Sequence, residues 1–200
     1  TKKLGSSYTL LYNGPACGAS APDHLHFQAG TKSHLPIEDD FHQLKNEYGI
    51  SLFSNELVEV YSVDDTLRKF ISIESNDSRI LFHTFSLLYK ILEEESDSSK
   101  EPMMNIISNY EEDFGWRVII LLRSKHLPDI YFTEGERKLL FSPAVVDVGG
   151  LCITPLEDDF HRLNENLLKE IFNEVFIDSK SFKEISKKLG TLLSYDALND

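Results

Sequence analysis

The sequence predicts an α+β fold in which an antiparallel sheet is flanked by helices. Strand-like segments outnumber helical segments in the earlier part of the chain, and two amphipathic helical segments close it. This order favours an antiparallel sheet over a parallel sheet built from regularly alternating strands and helices. The composition agrees, since 41% hydrophobic and 26% charged residues are ordinary values for a globular domain.

The composition also argues against several classes of function. The 200 residues include 20 basic and 33 acidic side chains, a net charge of −13, whereas a general nucleic-acid binder needs a basic face. No apolar run approaches the roughly 20 residues that a membrane helix needs. Two cysteines cannot form a disulfide framework, and the chain opens without an apolar signal segment. We therefore expect a cytoplasmic protein that binds neither nucleic acid nor a membrane.

The first two elements are predicted to be neighbouring strands. Residues 7–13 are rich in β-forming side chains and end at Gly14-Pro15, which is a turn signal. Residues 24–29 alternate polar and apolar side chains, which predicts a half-buried strand. A loop of small residues joins the two segments, so we expect them to pair.

Helices are predicted to interrupt the strands twice before the end of the chain. Pro36 and the acidic residues after it predict a short helix that ends at Tyr48, before Gly49. An apolar stripe at helical spacing makes residues 77–95 the clearest helix. The other predicted elements are strands at 57–61, 70–74, 103–110, 116–123, 138–141 and 150–154 and helices at 163–176 and 181–193, the last with a Ser181–Glu184 capping box.

The most informative stretch contains His24, His26 and Gln28, which are spaced at i, i+2 and i+4. On a strand this spacing places all three side chains on one face, with Leu25 and Phe27 pointing into a core. The loop just upstream contains small residues that let backbone N–H groups approach an anion, namely Gly14, Gly18, Ala19 and Ser20. Together these features are what a phosphate-directed histidine nucleophile requires.

Two other interpretations of the histidine pair remain open. A His-x-His pair is a common zinc-binding arrangement, for which further ligands would have to come from residues such as His34, Cys17 or Asp23. Gln28 is a poor zinc ligand, however, and no second ligand pair is visible in the sequence. The two histidines could also be solvated side chains on the polar face of a strand.

The stretch Tyr12–Gly30 resembles the active-site signature of the histidine-triad (HIT-like) superfamily, and in particular its transferase and phosphorylase branch, whose motif ends in His-x-His-x-Gln. That branch includes the galactose-1-phosphate uridylyltransferases. The string His24–Ala29 is most similar to plant GDP-galactose phosphorylases, and the lead-in Tyr12–Ser20 is similar to diadenosine tetraphosphate phosphorylases. The whole stretch is closest to a Bacteroides-type bacterial group. Asp23 makes the serine-to-histidine spacing one residue longer than in the diadenosine enzymes, so their substrate is not carried over.

The resemblance implies a nucleotidyltransferase or nucleotide phosphorylase that acts on a nucleoside diphosphate-sugar or a dinucleoside polyphosphate. His26 would be the nucleophile and form a nucleotidyl-histidine intermediate, His24 would contact the leaving or entering phosphate, and Gln28 would hold a non-bridging oxygen. The N–H groups of residues 18–20 would stabilise the phosphoryl charge, and Asn13 would position the ribose or a phosphate. No metal cofactor is required for this step, although Mg²⁺ could accompany the nucleotide.

A second segment is expected to contribute cations. Arg123, Lys125 and His126 follow one another closely at the end of a predicted strand, where they would bind phosphate. The alternative is a solvated strand end without a ligand. Residues 142–155 resemble the C-terminal part of the same bacterial group, so the resemblance extends over most of the chain.

The position of the motif predicts that the domain begins upstream. In this superfamily the motif strand comes late, whereas His26 lies only 25 residues from the start of this sequence. We therefore expect residues 1–200 to be the C-terminal part of a HIT-like domain, with motif strands at 1–36, sheet and helix at 37–155 and terminal helices at 156–200. An N-terminal portion or a second chain would complete the sheet, and residues 1–200 alone would bind a nucleotide or nucleotide-sugar poorly. The alternative functions are a non-catalytic nucleotide-binding or assembly module and a metal-dependent phosphohydrolase.

Overall fold

One antiparallel sheet organises the fold. The computed structural model describes residues 1–96 and 100–196. Seven strands pair in the order β2-β1-β6-β7-β5-β4-β3, and every pair is antiparallel. The strands are β1 (Tyr8–Asn13), β2 (Gln28–Thr31), β3 (Gly49–Ser54), β4 (Val58–Asp64), β5 (Lys69–Ser75), β6 (Met104–Glu111) and β7 (Gly115–Leu122). The predicted α+β class and its antiparallel sheet are confirmed.

Helices cover both faces of this sheet. They are α1 (Pro36–Tyr48), α2 (Ser78–Glu95), α3 (Val145–Val148), α4 (Glu157–Arg162), α5 (Glu165–Val175) and α6 (Ser179–Asp196). Phe41 of α1, Val145 of α3 and Phe172 of α5 belong to one core, whereas Leu88 of α2 and Ile185 of α6 belong to a second core. None of the described helices is long and apolar enough to cross a lipid bilayer.

Strand β7 shows why the sheet needs helices on both sides. Val118 and Ile120 belong to the core beneath α2 and α6, and the alternating residues Ile119 and Leu121 belong to the other core. Successive side chains of a strand point to opposite faces, so a strand that is covered on both faces is apolar at most positions. This double burial explains the densest apolar run of the sequence.

Most predicted helices and strands are confirmed, with shifts at their ends. The last helix, α6, begins before its predicted start because the carboxylate of Asp178 accepts hydrogen bonds from the N–H groups of Lys180 and Ser181. Asp178 is therefore the N-cap. The predicted Ser181–Glu184 capping box is wrong, because Ser181 already lies inside the helix.

Three segments differ from their predicted structure. Residues 138–141 and 150–154 join no strand ladder among the described residues. Leu139 and Phe141 are nevertheless fully buried in the core beneath α1, α3 and α5. The segment 138–141 is therefore irregular in structure, although its buried apolar residues follow a strand-like pattern. Strand β3 is not predicted by the sequence because most of its residues are exposed or half-buried at the sheet edge, without clear alternation.

Candidate functional site

The histidine motif lies mainly in the loop that joins β1 to β2. Strand β2 begins only at Gln28, which pairs with Leu11 of β1 at the end of the ladder. The chain approaches this pair through a turn at Pro22-Asp23, and proline cannot donate a ladder hydrogen bond. The predicted strand over 24–29 is therefore wrong for residues 24–27, although the predicted pairing of the two segments is confirmed.

His24 and His26 still lie side by side. Their ring centroids are 5.4 Å apart, and Nδ1 of His26 lies 3.2 Å from the carbonyl oxygen of His24. Because a carbonyl oxygen can only accept, Nδ1 must carry the hydrogen of this bond. In the neutral ring, Nε2 of His26 then keeps its lone pair for a substrate. Nδ1 of His24 lies 3.3 Å from the carboxylate of Asp23, and Gln28 is exposed at the edge of the sheet.

A buried polar network holds the loop that precedes the histidines. The side-chain oxygen of Asn13 accepts hydrogen bonds from the amide of Asn105 and from the N–H of Val145, both at 2.7 Å. Asn105 also donates to the carbonyl oxygen of Cys17 at 2.7 Å. These bonds tie the start of the loop to β6 and to the N-terminus of α3, so Asn13 supports the loop. Its predicted role in positioning the ribose or a phosphate stays a prediction.

Arg123 belongs to the same network and is buried. Its N–H groups donate to the side-chain oxygen of Asn105 and to the carbonyl oxygens of Lys125, His126, Pro143 and Val175. A guanidinium has five N–H groups, so these five bonds leave none for a phosphate. The predicted role of Arg123 as a phosphate ligand is therefore corrected to that of a structural support. Burial lowers the pKa of its guanidinium.

The two other predicted cations, Lys125 and His126, differ in the groups that their side chains contact. The ammonium of Lys125 pairs with the carboxylates of Asp129 and Glu174. Nδ1 of His126 accepts a hydrogen bond from the N–H of Gly18 at 3.4 Å. Of the three predicted cations, His126 is thus the one that contacts the small-residue loop through its side chain.

Gly18 lets that loop pack closely against α3. Its φ is +87°, and a Cβ atom at this position would lie only 2.6 Å from the Cβ of Ala144. Only glycine is compatible with this conformation and this contact. The N–H groups of Ala19 and Ser20 come next, and no acceptor for them is found in residues 1–96 and 100–196. Two backbone donors therefore remain open to an anion.

A small cleft opens beside the histidine loop. It measures about 130 Å³ and is bordered by Tyr12, Asp23, His24 and Glu101, among others. The hydroxyl of Tyr12 donates to Glu101 at 2.5 Å, and burial together with this carboxylate raises the pKa of Tyr12. Small-molecule sites usually measure about 300–1,000 Å³, so this cleft cannot enclose a whole nucleotide.

An apolar groove of about 290 Å³ adjoins the cleft, and Tyr12 lines both. Phe27, Phe82 and Phe85 contribute aromatic rings to the groove. Leu25 and Phe27 are exposed, so the prediction that they point into a core is wrong. Phe27 packs instead against Tyr12, with ring centroids 5.4 Å apart.

The sequence does not single out three residues that shape the site, namely Asn105, Glu101 and Asp147. Asn105 carried a usable signal, because an amide inside a buried apolar strand must find hydrogen-bond partners. Asp147 accepts from the N–H groups of Ala144 and Ile153, and burial raises its pKa. Asp147 lies in the segment 142–155 that resembles the bacterial group, but no role follows from that resemblance, and Glu101 stands in no pattern that would have marked it beforehand.

The sequence marks Cys17 only as a possible metal ligand, and its surroundings also bear on its reactivity as a thiol. Cys17 is fully buried, and burial raises the pKa of its thiol to about 12, so the thiolate is scarce at neutral pH. In the part of the chain that the structure describes, no three His, Cys, Asp or Glu side chains converge as a metal site would require.

The fold and the site define an α+β protein with a two-histidine loop at one edge of an antiparallel sheet. The family profile described as "GDPGP1-like, C-terminal domain" matches residues 41–195, which is more than half of the chain. The chain therefore belongs to the GDPGP1-like C-terminal domain family. A domain of unknown function, DUF4922, matches residues 1–31, which contain the histidine motif. The two histidines thus lie outside the part that the GDPGP1-like profile matches.

Among solved structures, the chain is similar to a DUF4931 family protein from Bacillus cereus. The TM-score is 0.44 at 19% sequence identity, and the match covers 72% of this chain and 66% of that protein. No protein with a curated function matches. The predicted kinship with GDP-galactose phosphorylases is confirmed at the level of the GDPGP1-like family, whereas the HIT-like superfamily and the Bacteroides-type group stay predictions.

Proposed function

We propose that this protein is a phosphorylase or nucleotidyltransferase for nucleoside diphosphate-sugars or dinucleoside polyphosphates, with His26 as its nucleophile. Membership of the GDPGP1-like family, a GDP-hexose phosphorylase family, supports a phosphorylase. The observation that carries the role of His26 is the contact between its Nδ1 and the carbonyl oxygen of His24. That contact favours the tautomer whose free Nε2 can attack phosphorus.

The reaction would proceed in two displacements at one phosphorus atom. Nε2 of His26 attacks the α-phosphorus, so that a P–N bond forms and the bond to the bridging oxygen breaks. The sugar phosphate or nucleotide leaves with that oxygen and its electron pair. An oxygen of inorganic phosphate, or of another acceptor, then attacks the same phosphorus, and the P–N bond breaks to restore the imidazole.

Neighbouring groups would stabilise the charge that develops on the phosphoryl oxygens. The open N–H groups of Ala19 and Ser20 are suitable donors for one oxygen, and the amide of Gln28 for another. His24 would contact the leaving or entering phosphate. An amide cannot deliver a proton, so Gln28 favours transfer to an acceptor over acid-assisted hydrolysis.

The nucleoside would occupy the apolar groove next to the histidine loop. The adjoining cleft is too small for it, and Tyr12 links the two spaces. The rings of Phe27, Phe82 and Phe85 offer faces and edges on which a base can stack. This placement brings the phosphates of a bound nucleotide towards His24 and His26.

Trapping the intermediate tests the role of His26. The full protein is incubated with ADP-glucose, GDP-glucose, UDP-glucose and diadenosine tetraphosphate, each labelled at the α-phosphorus, and is then denatured. We expect label that is stable in base and labile in acid, as a phosphoramidate is. The label should be absent from His26→Gln and retained by His34→Gln, whose histidine is exposed outside the motif.

Three results would contradict the proposal. Label that persists in His26→Gln would place the nucleophile elsewhere. Phosphorolysis without any labelled protein would indicate direct transfer to the acceptor. Nucleotide binding without label and without turnover would favour the non-catalytic module.

A further inference from the structure

A second cleft lies at the other edge of the sheet from the histidine loop. It opens between β3, β4, the start of β5 and α6, and it measures about 690 Å³, within the range of small-molecule sites. Strand β3 is the edge strand on this side, whereas β2 is the edge strand beside the histidines. The cleft is therefore separate from the site of the proposed chemistry.

Lys69, the first residue of β5, lines this cleft although it is only 5% exposed. Among the residues that the structure describes, its ammonium has no hydrogen-bond or ion-pair partner. Asp64 stands opposite Lys69 in the strand register, but its carboxylate accepts from the N–H of Thr66 and from the hydroxyl of Ser179. The Nζ atom of Lys69 itself stays accessible from the cleft, so an anion that enters this space can pair with it.

Other donors surround Lys69. Ser62 of β4 is buried, lines the same cleft, and its hydroxyl has no partner within the described part of the chain. Lys183 and Lys187 are four residues apart on α6, so they stand on one side of the helix, and both border the cleft. Among the described residues that line the cleft, three ammonium groups thus share this space with one carboxylate, that of Asp64, in a chain whose net charge is −13.

Apolar and aromatic side chains form half of the remaining lining residues. Tyr48 and Ile50 border the cleft from the side of α1 and β3, and Phe182 borders it from α6. A ligand that fills this space therefore needs an apolar or aromatic part as well as an anionic part.

We propose that the cleft binds a phosphate monoester that carries an apolar or aromatic body. A dianionic headgroup with three terminal oxygens can pair with Lys69 and also accept from Ser62, Lys183 and Lys187, whereas a carboxylate offers one charge and two oxygens. The body of the ligand lies against Tyr48, Ile50 and Phe182. This inference does not depend on the chemistry proposed for His26.

Phenyl phosphate is a suitable probe, and its binding to the full protein can be measured by calorimetry. Inorganic phosphate and benzoate serve as comparison ligands at matched ionic strength. We expect saturable binding of phenyl phosphate. Inorganic phosphate and benzoate should bind at least about tenfold more weakly. Lys69→Met should weaken phenyl phosphate binding by about ten- to hundredfold, because a charge-assisted contact is lost.

Two variants serve as controls. Lys188→Met removes a lysine of the same helix that pairs with Glu95 outside the cleft, and it should leave the affinity unchanged. His26→Gln should also bind phenyl phosphate like the wild type, which separates this site from the proposed catalytic one. Without ligand, Lys69→Met should be at least as stable as the wild type, because the ammonium has no polar partner to lose in the described part of the chain and methionine keeps the apolar stem.

Several outcomes would overturn the inference. A lower unfolding midpoint of ligand-free Lys69→Met would assign Lys69 a structural role. If phenyl phosphate did not bind saturably, or if Lys69→Met bound it as tightly as the wild type, the cleft would not be the proposed site. If inorganic phosphate bound as tightly as phenyl phosphate, the cleft would not recognise an apolar body. If benzoate bound as tightly, the cleft would not select a phosphate monoester over a carboxylate.

Discussion

Replacing Arg123 with lysine tests whether this residue supports the histidine loop or binds substrate. Lysine keeps the positive charge but offers three N–H groups, whereas Arg123 donates to five acceptors in the structure. At least two of these acceptors must lose their donor. Lysine also lacks the planar fork that reaches acceptors on several segments at once.

The size of the effect follows from the number of lost bonds. A buried hydrogen bond contributes about 1 kcal/mol net, so two lost bonds and poorer geometry for the others should lower the free energy of unfolding by about 2–3 kcal/mol. In a chain of this length, 1 kcal/mol shifts Tm by about 2–4 °C, which predicts a decrease of about 4–12 °C for Arg123→Lys.

Calorimetry and urea titration of the ligand-free protein measure this decrease. The urea midpoint should fall while the slope stays constant, which indicates lost stability without a change in the surface exposed on unfolding. Arg79→Lys is the matched control, because the Arg79 side chain is exposed and, within the described residues, pairs with the nearby Asp77 alone. Its midpoint should not move.

A phosphate-binding role for Arg123 predicts the opposite pattern. Arg123→Lys would then have the same Tm as the wild type without substrate, and its KM for phosphate or nucleotide would rise. That result would refute the assignment of Arg123 to the structural network.

Two further variants test the stability of the sheet and the proposed base groove. Burial alone would raise the pKa of Glu74, but its hydrogen bond with Lys45 and further positive charge outweigh this effect and hold the pKa below its usual value. The stability that ionised Glu74 contributes is therefore present above the unfolded-state pKa of about 4.3 and is lost as the pH falls through the folded-state pKa. Glu74→Gln should be less stable than the wild type at pH 7, and its Tm should fall less steeply on acidification. The exposed control Glu56→Gln should show neither effect. Phe82→Ala should leave Tm unchanged because Phe82 is 72% exposed, yet it should raise the nucleotide KM by about two- to tenfold at constant kcat. The exposed control Phe132→Ala should change neither Tm nor KM. An unchanged KM in Phe82→Ala would show that the base does not bind in the groove.

The regular elements could be predicted because their patterns are local. The apolar stripe of α2 and the alternation of buried residues in β4 can be recognised in short windows of sequence. The segment 138–141 shows the limit of such windows. Leu139 and Phe141 are buried like strand residues, but whether a partner strand lies beside them depends on distant parts of the chain.

The support of the candidate site could not be predicted for the same reason. Arg123 stands at the end of β7 close to Lys125, which in the sequence alone resembles a cluster of free cations. In the structure its donors are taken up by Asn105 on β6, Pro143 before α3 and Val175 at the end of α5. These residues are far apart in the sequence and meet only in the folded structure, so no local spacing reveals their contacts.

The arrangement of His24 and His26, in contrast, depends on contacts between residues that are close in the sequence. The hydrogen bond from Nδ1 of His26 to the carbonyl of His24 spans two residues, so an extended segment can form it without a β-ladder. For this reason the i, i+2 spacing is informative even though the predicted strand is wrong there. The open N–H groups of Ala19 and Ser20, in contrast, depend on long-range contacts through Asn105 and the close packing of Gly18. The nucleophile and its anion-binding donors are therefore positioned by separate parts of the sequence, and damage to the buried network should displace the donors while the tautomer of His26 is retained.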